Sequence, residues 1–204
     1  MAAASQLGGM PTAGAYLDLA EPDLSAVALD LAAAGHQRAV VTPLLFTEAF
    51  HASVDVPDAV RDASAASGIE LVVAEILGTG DDMLAVVEQS MRLAGVVADQ
   101  PLVLVSVGSS SAAANDAVAD LAHRLAERRS APVLPAFGTR SPRVAEVLPD
   151  LGDQAAIVPL FLSPGLLLDP LARLAAERGL TMAEPLGILA ASLLVDRYRQ
   201  ALVR

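Results

Sequence analysis

Short, wholly apolar runs rich in Val, Ile and Leu alternate along the chain with longer Ala-rich stretches whose apolar positions recur at helical spacing. Such alternation is the pattern of βαβ units. Strands apolar on both faces belong to parallel sheets covered by helices on each side. The runs predict strands at Ala39–Leu45, Glu70–Leu77, Pro101–Val107, Pro132–Phe137 and Ala156–Leu162, with a further one at Ala15–Leu19. Helices are predicted over Asp23–Ala34, Pro57–Ser67, Asp81–Ala94, Ala112–Arg129, Pro142–Leu148, Pro170–Arg178 and Leu189–Leu202. Pro22 and Pro142 stand near helix starts, where a missing N–H costs little. Asp81 and Asp82 are candidate caps for the helix that follows Gly80.

The pattern repeats. VVTPLLFTEAFH around Pro43 matches AIVPLFLSPGLL around Pro159, AEILG at Ala74–Gly78 matches AEPLG at Ala183–Gly187, and Pro22 in AEPDL matches Pro142 in RSPRV. Three landmarks in the same order indicate a duplicated α/β unit. The boundary falls near Gly95–Pro101, which gives an N-terminal domain over 1–98 and a C-terminal one over 99–204. The copies are unequal. The second opens with the strand Pro101–Val107, a GSSS turn and the helix Ala112–Arg129 before Pro142, whereas the first has 21 residues before Pro22. The first copy is therefore expected to lack its initial strand and most of its first helix.

Composition narrows the function classes. The chain has 204 residues, of which 54% are hydrophobic and 18% charged, so a packed core rather than disorder is expected. Aromatics are 3%, which leaves the core to Ala, Val and Leu. Thirteen basic residues, all Arg, face 24 acidic ones, for a net charge of −11. A chain this acidic is a poor partner for a phosphate backbone, so no nucleic-acid role is expected. Without Cys there is no disulfide frame, thiolate metal site or Cys nucleophile. The opening MAAASQLGGM has no basic n-region, and the early uncharged run carries Gly and Pro. No signal peptide, no membrane span and a cytoplasmic location are the corresponding expectations.

Candidate chemistry gathers at strand ends, because in open parallel sheets the ligand crevice lies beyond the carboxyl ends of the strands. His51 lies just past an apolar strand in FTEAFHASVDVPDAV, with Asp55 and Pro57 following. An imidazole there can bind a divalent transition metal or take a proton near neutral pH; the plainer role is a helix-start His bonded to a backbone carbonyl. Asp18 ends the segment AYLDL on the same edge, where a solvated strand-end carboxylate is the alternative. Glu21 before Pro22 reads as a helix-start acid favoured by the dipole. Glu75 and Glu184 occupy matched repeat positions, either structural or lining a pocket. The turn Val107–Ser111 offers N–H groups to an anion, but it carries neither GxGxxG nor GxxxxGK[ST], and no GxSxG is present. His36 and His123 sit in polar contexts and read as solvated.

The stretch AYLDLAEPDLSAVALDLAAAG…AVVTPLLFTEAFHASVDVPDAV resembles the sirohydrochlorin chelatases of the CbiX/SirB type. That family carries a carboxylate in an FLE-x-x-EP segment and a His in PLLL-x-x-x-x-H-x-x-x-DIP. The matching positions here are Asp18 and His51, with Pro22, Asp55 and Pro57 completing the signatures. The second half, with VSVGSSS, RSP, VPLFLSPG and AEPLG, resembles the degenerate copy of two-copy members. The resemblance implies two tandem chelatase-like (flavodoxin-like) parallel-sheet α/β domains, with strand order 2-1-3-4 in each. It implies a lyase that inserts Co²⁺ or Fe²⁺ into a sirohydrochlorin-type tetrapyrrole lying between the two domains, for cobalamin or sirohaem synthesis. The metal is then a substrate, and no organic cofactor is expected. His51 would deliver metal and accept a proton, and Asp18 would supply the carboxylate, one methylene shorter than the family's Glu. The family's first strand ends in an HGS motif with a second imidazole; the second copy has Val107 at that place and Leu167 where His51 has its counterpart.

Two other readings follow from these departures: a non-catalytic homologue that holds tetrapyrrole or metal, and, more distantly, a nucleotide-binding α/β protein using the GSSS turn. A first copy without its central strand leaves Ala15–Leu19 and Ala39–Leu45 without their shared neighbour. These strands are then expected to pair directly, to borrow an element from another chain as in a homodimer, or to be poorly ordered.

Overall fold

The computed structural model describes residues 9–17, 20–48 and 54–203. Helix α1 (Leu24–Ala33), strand β1 (Arg38–Val41), α2 (Val56–Ser67) and β2 (Glu70–Val73) come first. They are followed by α3 (Asp81–Leu93), β3 (Leu102–Ser106), α4 (Ala112–Glu127), β4 (Val133–Phe137) and α5 (Val144–Leu151). Then come β5 (Ala156–Pro159), α6 (Asp169–Arg178), a 3₁₀ turn (Gly187–Ala190) and α7 (Ala191–Leu202). Every helix predicted from the periodicity is present. Five of the six predicted strands are present as well, most of them shortened at their carboxyl ends.

The chain divides into two compact units, Met1–Gly78 with Ala191–Arg204, and Thr79–Ala190. The repeat boundary near residue 98 does not coincide with this division. The last helix of the first repeat, α3, belongs to unit two, and the last helix of the second repeat, α7, belongs to unit one. A repeat in sequence and a compact unit in space are thus different cuts of the same chain, because burial of each helix's apolar face decides where it packs.

Unit two is the complete α/β layer. Its strands run parallel in the order β4-β3-β5, and Met182 bridges Ile157 on the outer side of β5, which gives the 2-1-3-4 order. All five residues of β3 and all four of β5 are buried, as strands between two helical layers must be. Val103, Val105 and Ile157 pack with Val144, Val147, Leu148 and Leu151 of α5, and Leu121 and Leu125 of α4 are fully buried.

Unit one is thinner. β1 and β2 pair in parallel, Arg38 opposite Glu70 through Val41 opposite Val73. Ala28 of α1, Ala63 of α2 and Ile69 form its small core with Leu24, Leu31, Ala39 and Leu71. The strand expected at Ala15–Leu19 is not formed by the described residues 15–17: Tyr16 makes one isolated bridge, to Asp23. Nor does this segment pair with β1; β1 takes β2 instead. A strand needs a neighbour for its ladder, and among the described residues 15–17 make only the bridge to Asp23.

The repeat landmarks are built alike in both units. The Ala74 N–H donates to the Val41 carbonyl at 2.9 Å and the Ala183 N–H to the Ile157 carbonyl at 2.9 Å. The Gly78 N–H donates to the Leu45 carbonyl at 3.2 Å, and the Gly187 N–H to the Leu162 carbonyl at the same distance. Ala74, Leu77, Ala183 and Leu186 are all buried. The Glu21–Pro22 and Ser141–Pro142 peptide bonds are both cis.

Candidate active site

In unit one the chain leaves β1 at its carboxyl end through Thr42–Glu48 and resumes as helix at Val56, with Pro57 in the first turn and Asp55 at the N-cap position. The sequence-predicted residue His51 falls between these stretches and lies outside the described residues, as does Asp18. The segment carrying Asp18 is bracketed by a hydrogen bond from the Tyr16 N–H to the Pro22 carbonyl at 2.9 Å. Its repeat counterpart is bracketed by the same bond, Phe137 N–H to Pro142 carbonyl at 2.8 Å. Glu21 does more than favour a helix dipole: its Oε2 accepts the Asp23 N–H at 3.1 Å, while Asp23 Oδ1 caps α1 by accepting the Ala26 N–H at 2.7 Å. Glu75 and Glu184, at matched positions of the two repeats, are both exposed.

The GSSS turn is bound by its own neighbours. Asn115 Oδ1 accepts the Ser109 N–H at 2.9 Å, and the Asn115 amide donates to the carbonyls of Ser109 and Ser111 at 2.8 Å. Ser111 N–H goes to Ser109 Oγ, and Ala114 N–H to Ser111 Oγ, the N-cap of α4. The donors that an anion would need at Ser109, Ser111 and Ala114 are therefore already committed. The sequence reading missed Asn115; its signal was an amide one helical turn beyond a serine N-cap, the spacing that lets a side chain fold back on the turn.

What the carboxyl edge of unit two presents instead is apolar surface with arginines beside it. Val107 and Leu167, the positions lacking imidazoles, are both about 40% exposed. They flank Gly138, whose Cβ position lies 3.8 Å from the Val107 carbonyl and 4.0 Å from Leu167 Cβ. Leu166 next to them is 88% exposed. Arg140 Nη1 donates to the Ser109 carbonyl at 2.6 Å, and Arg143 Nη1 to the Gly138 carbonyl at 2.9 Å. Glu146 closes this loop: its Oε2 accepts the Ser141 hydroxyl at 2.6 Å and the Arg143 N–H at 3.0 Å. The Ser141 hydrogen bond, helped by the Arg143 N–H, holds its carboxyl below the usual Glu range.

No group of three or more potential ligands clusters for a metal among the described residues. His36 is exposed, and His123 is exposed beside Glu127, with Nε2 3.5 Å from the carboxylate. Both match the solvated reading. No helix among the described residues is long and apolar enough to cross a membrane.

A family model described as CbiX matches residues 2–94 and again residues 101–201. The chain belongs to the CbiX family. Its two matches correspond to the two repeats read from Pro22/Pro142, Pro43/Pro159 and the AE-x-LG segments. Among solved structures, SirB from Bacillus subtilis with Fe³⁺ is similar at a TM-score of 0.81 and 22% identity, over 97% of this chain and 85% of that one. SirB from Bacillus subtilis subspecies spizizenii in complex with cobalt gives 0.78 and 22%, over 98% and 86%. CbiX, described as the terminal enzyme for biosynthesis of siroheme in denitrifying bacteria, gives 0.62 and 19%, over 81% and 76%. These likenesses establish the fold, two tandem chelatase-like α/β repeats. Among curated proteins, none matches this CbiX-family chain in sequence.

Proposed function

We propose that this CbiX-family protein inserts a divalent metal, Co²⁺ or Fe²⁺, into a sirohydrochlorin-type tetrapyrrole. The observation that carries the reading is the family match over both repeats, together with similar structures named as SirB with iron, SirB with cobalt, and CbiX of siroheme biosynthesis. The chemistry asks little of the protein beyond ligands and a base. As M²⁺ enters the macrocycle two pyrrole N–H protons leave, so charge balances as the metal bonds form. An imidazole at His51 suits both duties, since a neutral ring nitrogen binds a borderline metal and titrates near neutral pH. The Asp18 carboxylate would take up a leaving proton or steady the metal on its way in. The apolar edge around Val107, Gly138 and Leu167 suits the flat face of a macrocycle. Arg140 and Arg143 suit its peripheral carboxylates, which the net charge of −11 would otherwise repel. The repeat boundary near residue 98 is part of this proposal.

The test is anaerobic Co²⁺ insertion into sirohydrochlorin followed by absorbance. The wild-type chain is expected to exceed the uncatalysed rate, and His51→Ala to lose roughly 10²-fold or more of that acceleration while still binding the macrocycle. The second reading, a binder without catalysis, is favoured by Val107 and Leu167, which leave the second repeat without the imidazoles of an insertion site. It predicts tetrapyrrole binding with no acceleration and no effect of His51→Ala. Absence of binding would refute both.

A further inference from the structure

Several arginines of this acid-rich chain sit against a carboxylate. Arg38 faces Glu70, Arg61 faces Asp58, Arg124 faces Asp81 and Asp120, Arg128 faces Glu88 and Arg199 faces Asp196, all at 3.8 Å or less. Arg140 and Arg143 of unit two are held differently. Arg140 donates from Nη1 to the Ser109 carbonyl at 2.6 Å and from Nε to the Ser141 carbonyl at 3.4 Å. Arg143 donates from Nη1 to the Gly138 carbonyl at 2.9 Å and from Nη2 to the Thr139 carbonyl at 3.3 Å. Among the described residues neither guanidinium forms an ion pair. Glu146, in the first turn of α5, turns its Oε2 to the Ser141 hydroxyl and the Arg143 backbone N–H instead. Of the residues outside the described ones, Asp18 alone carries a carboxyl side chain.

A guanidinium carries five N–H donors. Each of these two spends two of them on backbone carbonyls, which leaves three on each side chain. The carbonyls fix the direction of the fork without neutralising its charge, and both side chains are exposed. Neighbouring hydroxyls offer no competing donor: Thr139 Oγ1 donates to the Val107 carbonyl at 2.8 Å, and Ser141 Oγ to Glu146. What the arginines flank sets the chemistry of their ligand. The Arg140 stem lies over Gly108, where a Cβ would stand 3.0 Å from its Cγ, directly after the exposed Val107. Arg143 is tied to Gly138, whose Cβ position adjoins both the Val107 carbonyl and Leu167. Two uncompensated cations thus border one exposed apolar strip. Such a surface takes a flat apolar face with carboxylates on its rim, since a guanidinium fork matches a carboxylate bidentately. Both cations come from one loop, so they serve one sector of that rim.

We infer that Arg140 and Arg143 are specificity-determining residues: they pair with the adjacent acetate and propionate of one pyrrole ring, so that macrocycles carrying both are preferred over those whose acetates are methyls. The inference rests on the chelatase reading and adds what selects the macrocycle. The overall charge of −11 acts against every added carboxylate. A preference for the more acidic macrocycle therefore requires local pairing strong enough to outweigh that field, and two anchored guanidiniums supply it.

The test is a ratio of affinities and does not use metal insertion. Metal-free uroporphyrin, with an acetate and a propionate on every ring, and coproporphyrin, with a methyl in place of each acetate, are titrated into the full chain. Binding is read from the fluorescence anisotropy of the porphyrin. The wild type is expected to bind uroporphyrin about tenfold or more tightly than coproporphyrin. Arg140→Met with Arg143→Met keeps the apolar stems and removes the forks. The ratio is then expected to fall to about one or below, because the overall field now opposes the more acidic ligand. Lysine at both positions keeps the charge without the bidentate fork and should retain part of the preference. If the paired methionines lower Tm by more than about 5 °C, Arg140→Met alone is read in the same way, with about half of the preference lost on a logarithmic scale. Equal affinities in the wild type, or a ratio unchanged by the substitutions, or an equal loss of both ligands, would overturn this inference and leave the chelatase reading standing. Failure to bind either porphyrin or sirohydrochlorin would refute that reading, and this inference with it.

Discussion

One position at the unit-two edge is held in backbone geometry that favours glycine. Gly108 has φ of +88°, a region that side chains rarely adopt. A Cβ there would stand 2.9 Å from Phe137 Cβ, 3.0 Å from Arg140 Cγ and 3.2 Å from Thr139 Oγ1. Gly108→Ala is therefore expected to lose about 1–3 kcal/mol in denaturant unfolding, and to shift the Arg140 loop with it. Glu146 gives a pH prediction. Its folded pKa lies below the unfolded value, chiefly through the Ser141 hydroxyl and then the Arg143 N–H. A depressed carboxyl stabilises the fold above its unfolded pKa, about 4.3, and this stabilisation disappears as pH falls through the folded value. Urea midpoints measured between about pH 6 and pH 3 should fall less steeply in Glu146→Gln than in the wild type. Of these residues, the sequence exposed Gly108 as part of a turn, but nothing in it set Glu146 apart from 23 other acids. Its role depends on a loop that brings Ser141 and Arg143 onto one oxygen.

At the scale of elements, periodicity located the helices within a few residues because each has an apolar face to bury. Met83, Leu84, Val87 and Met91 of α3 are buried in that way. Periodicity did not tell which unit would bury them. α7 is bound to unit one by Arg197, which is itself buried and donates from Nε to the Ile76 carbonyl and from Nη2 to the Leu77 carbonyl, both at 2.7 Å. Arg197→Met keeps the stem's packing but removes the two charged donors. It is expected to cost about 1.5–3 kcal/mol and to raise hydrogen exchange in α7 before the rest of unit one. In unit two, Leu121→Ala on α4 removes a fully buried side chain and should cost about 2–5 kcal/mol, read from chemical unfolding. The strand expected at residues 15–19 is not formed by its described residues 15–17, for a reason of the same order. Strand propensity is a fit to neighbours rather than a property of the segment, and Tyr16 found only Asp23.

For the whole molecule, the charge of −11 bears on any carboxylate-rich substrate. Net repulsion slows encounter at low ionic strength, where the Debye length is about 30 Å at 0.01 M against about 8 Å at 0.15 M. The KM for sirohydrochlorin is accordingly expected to fall as salt rises over that range. A KM that rises instead would mean that local pairing with Arg140 and Arg143 outweighs the overall field. The duplication, the α/β class and the family were legible in the chain itself, because landmark prolines, the AE-x-LG segments and the His51 signature are local patterns that survive without coordinates. Tertiary structure alone decided that β1 pairs with β2. It also decided that α3 and α7 serve the opposite units and that Asn115 consumes the donors of the GSSS turn. Those outcomes depend on which surfaces meet in space, and burial and hydrogen-bond satisfaction between distant residues leave no periodic trace in the sequence.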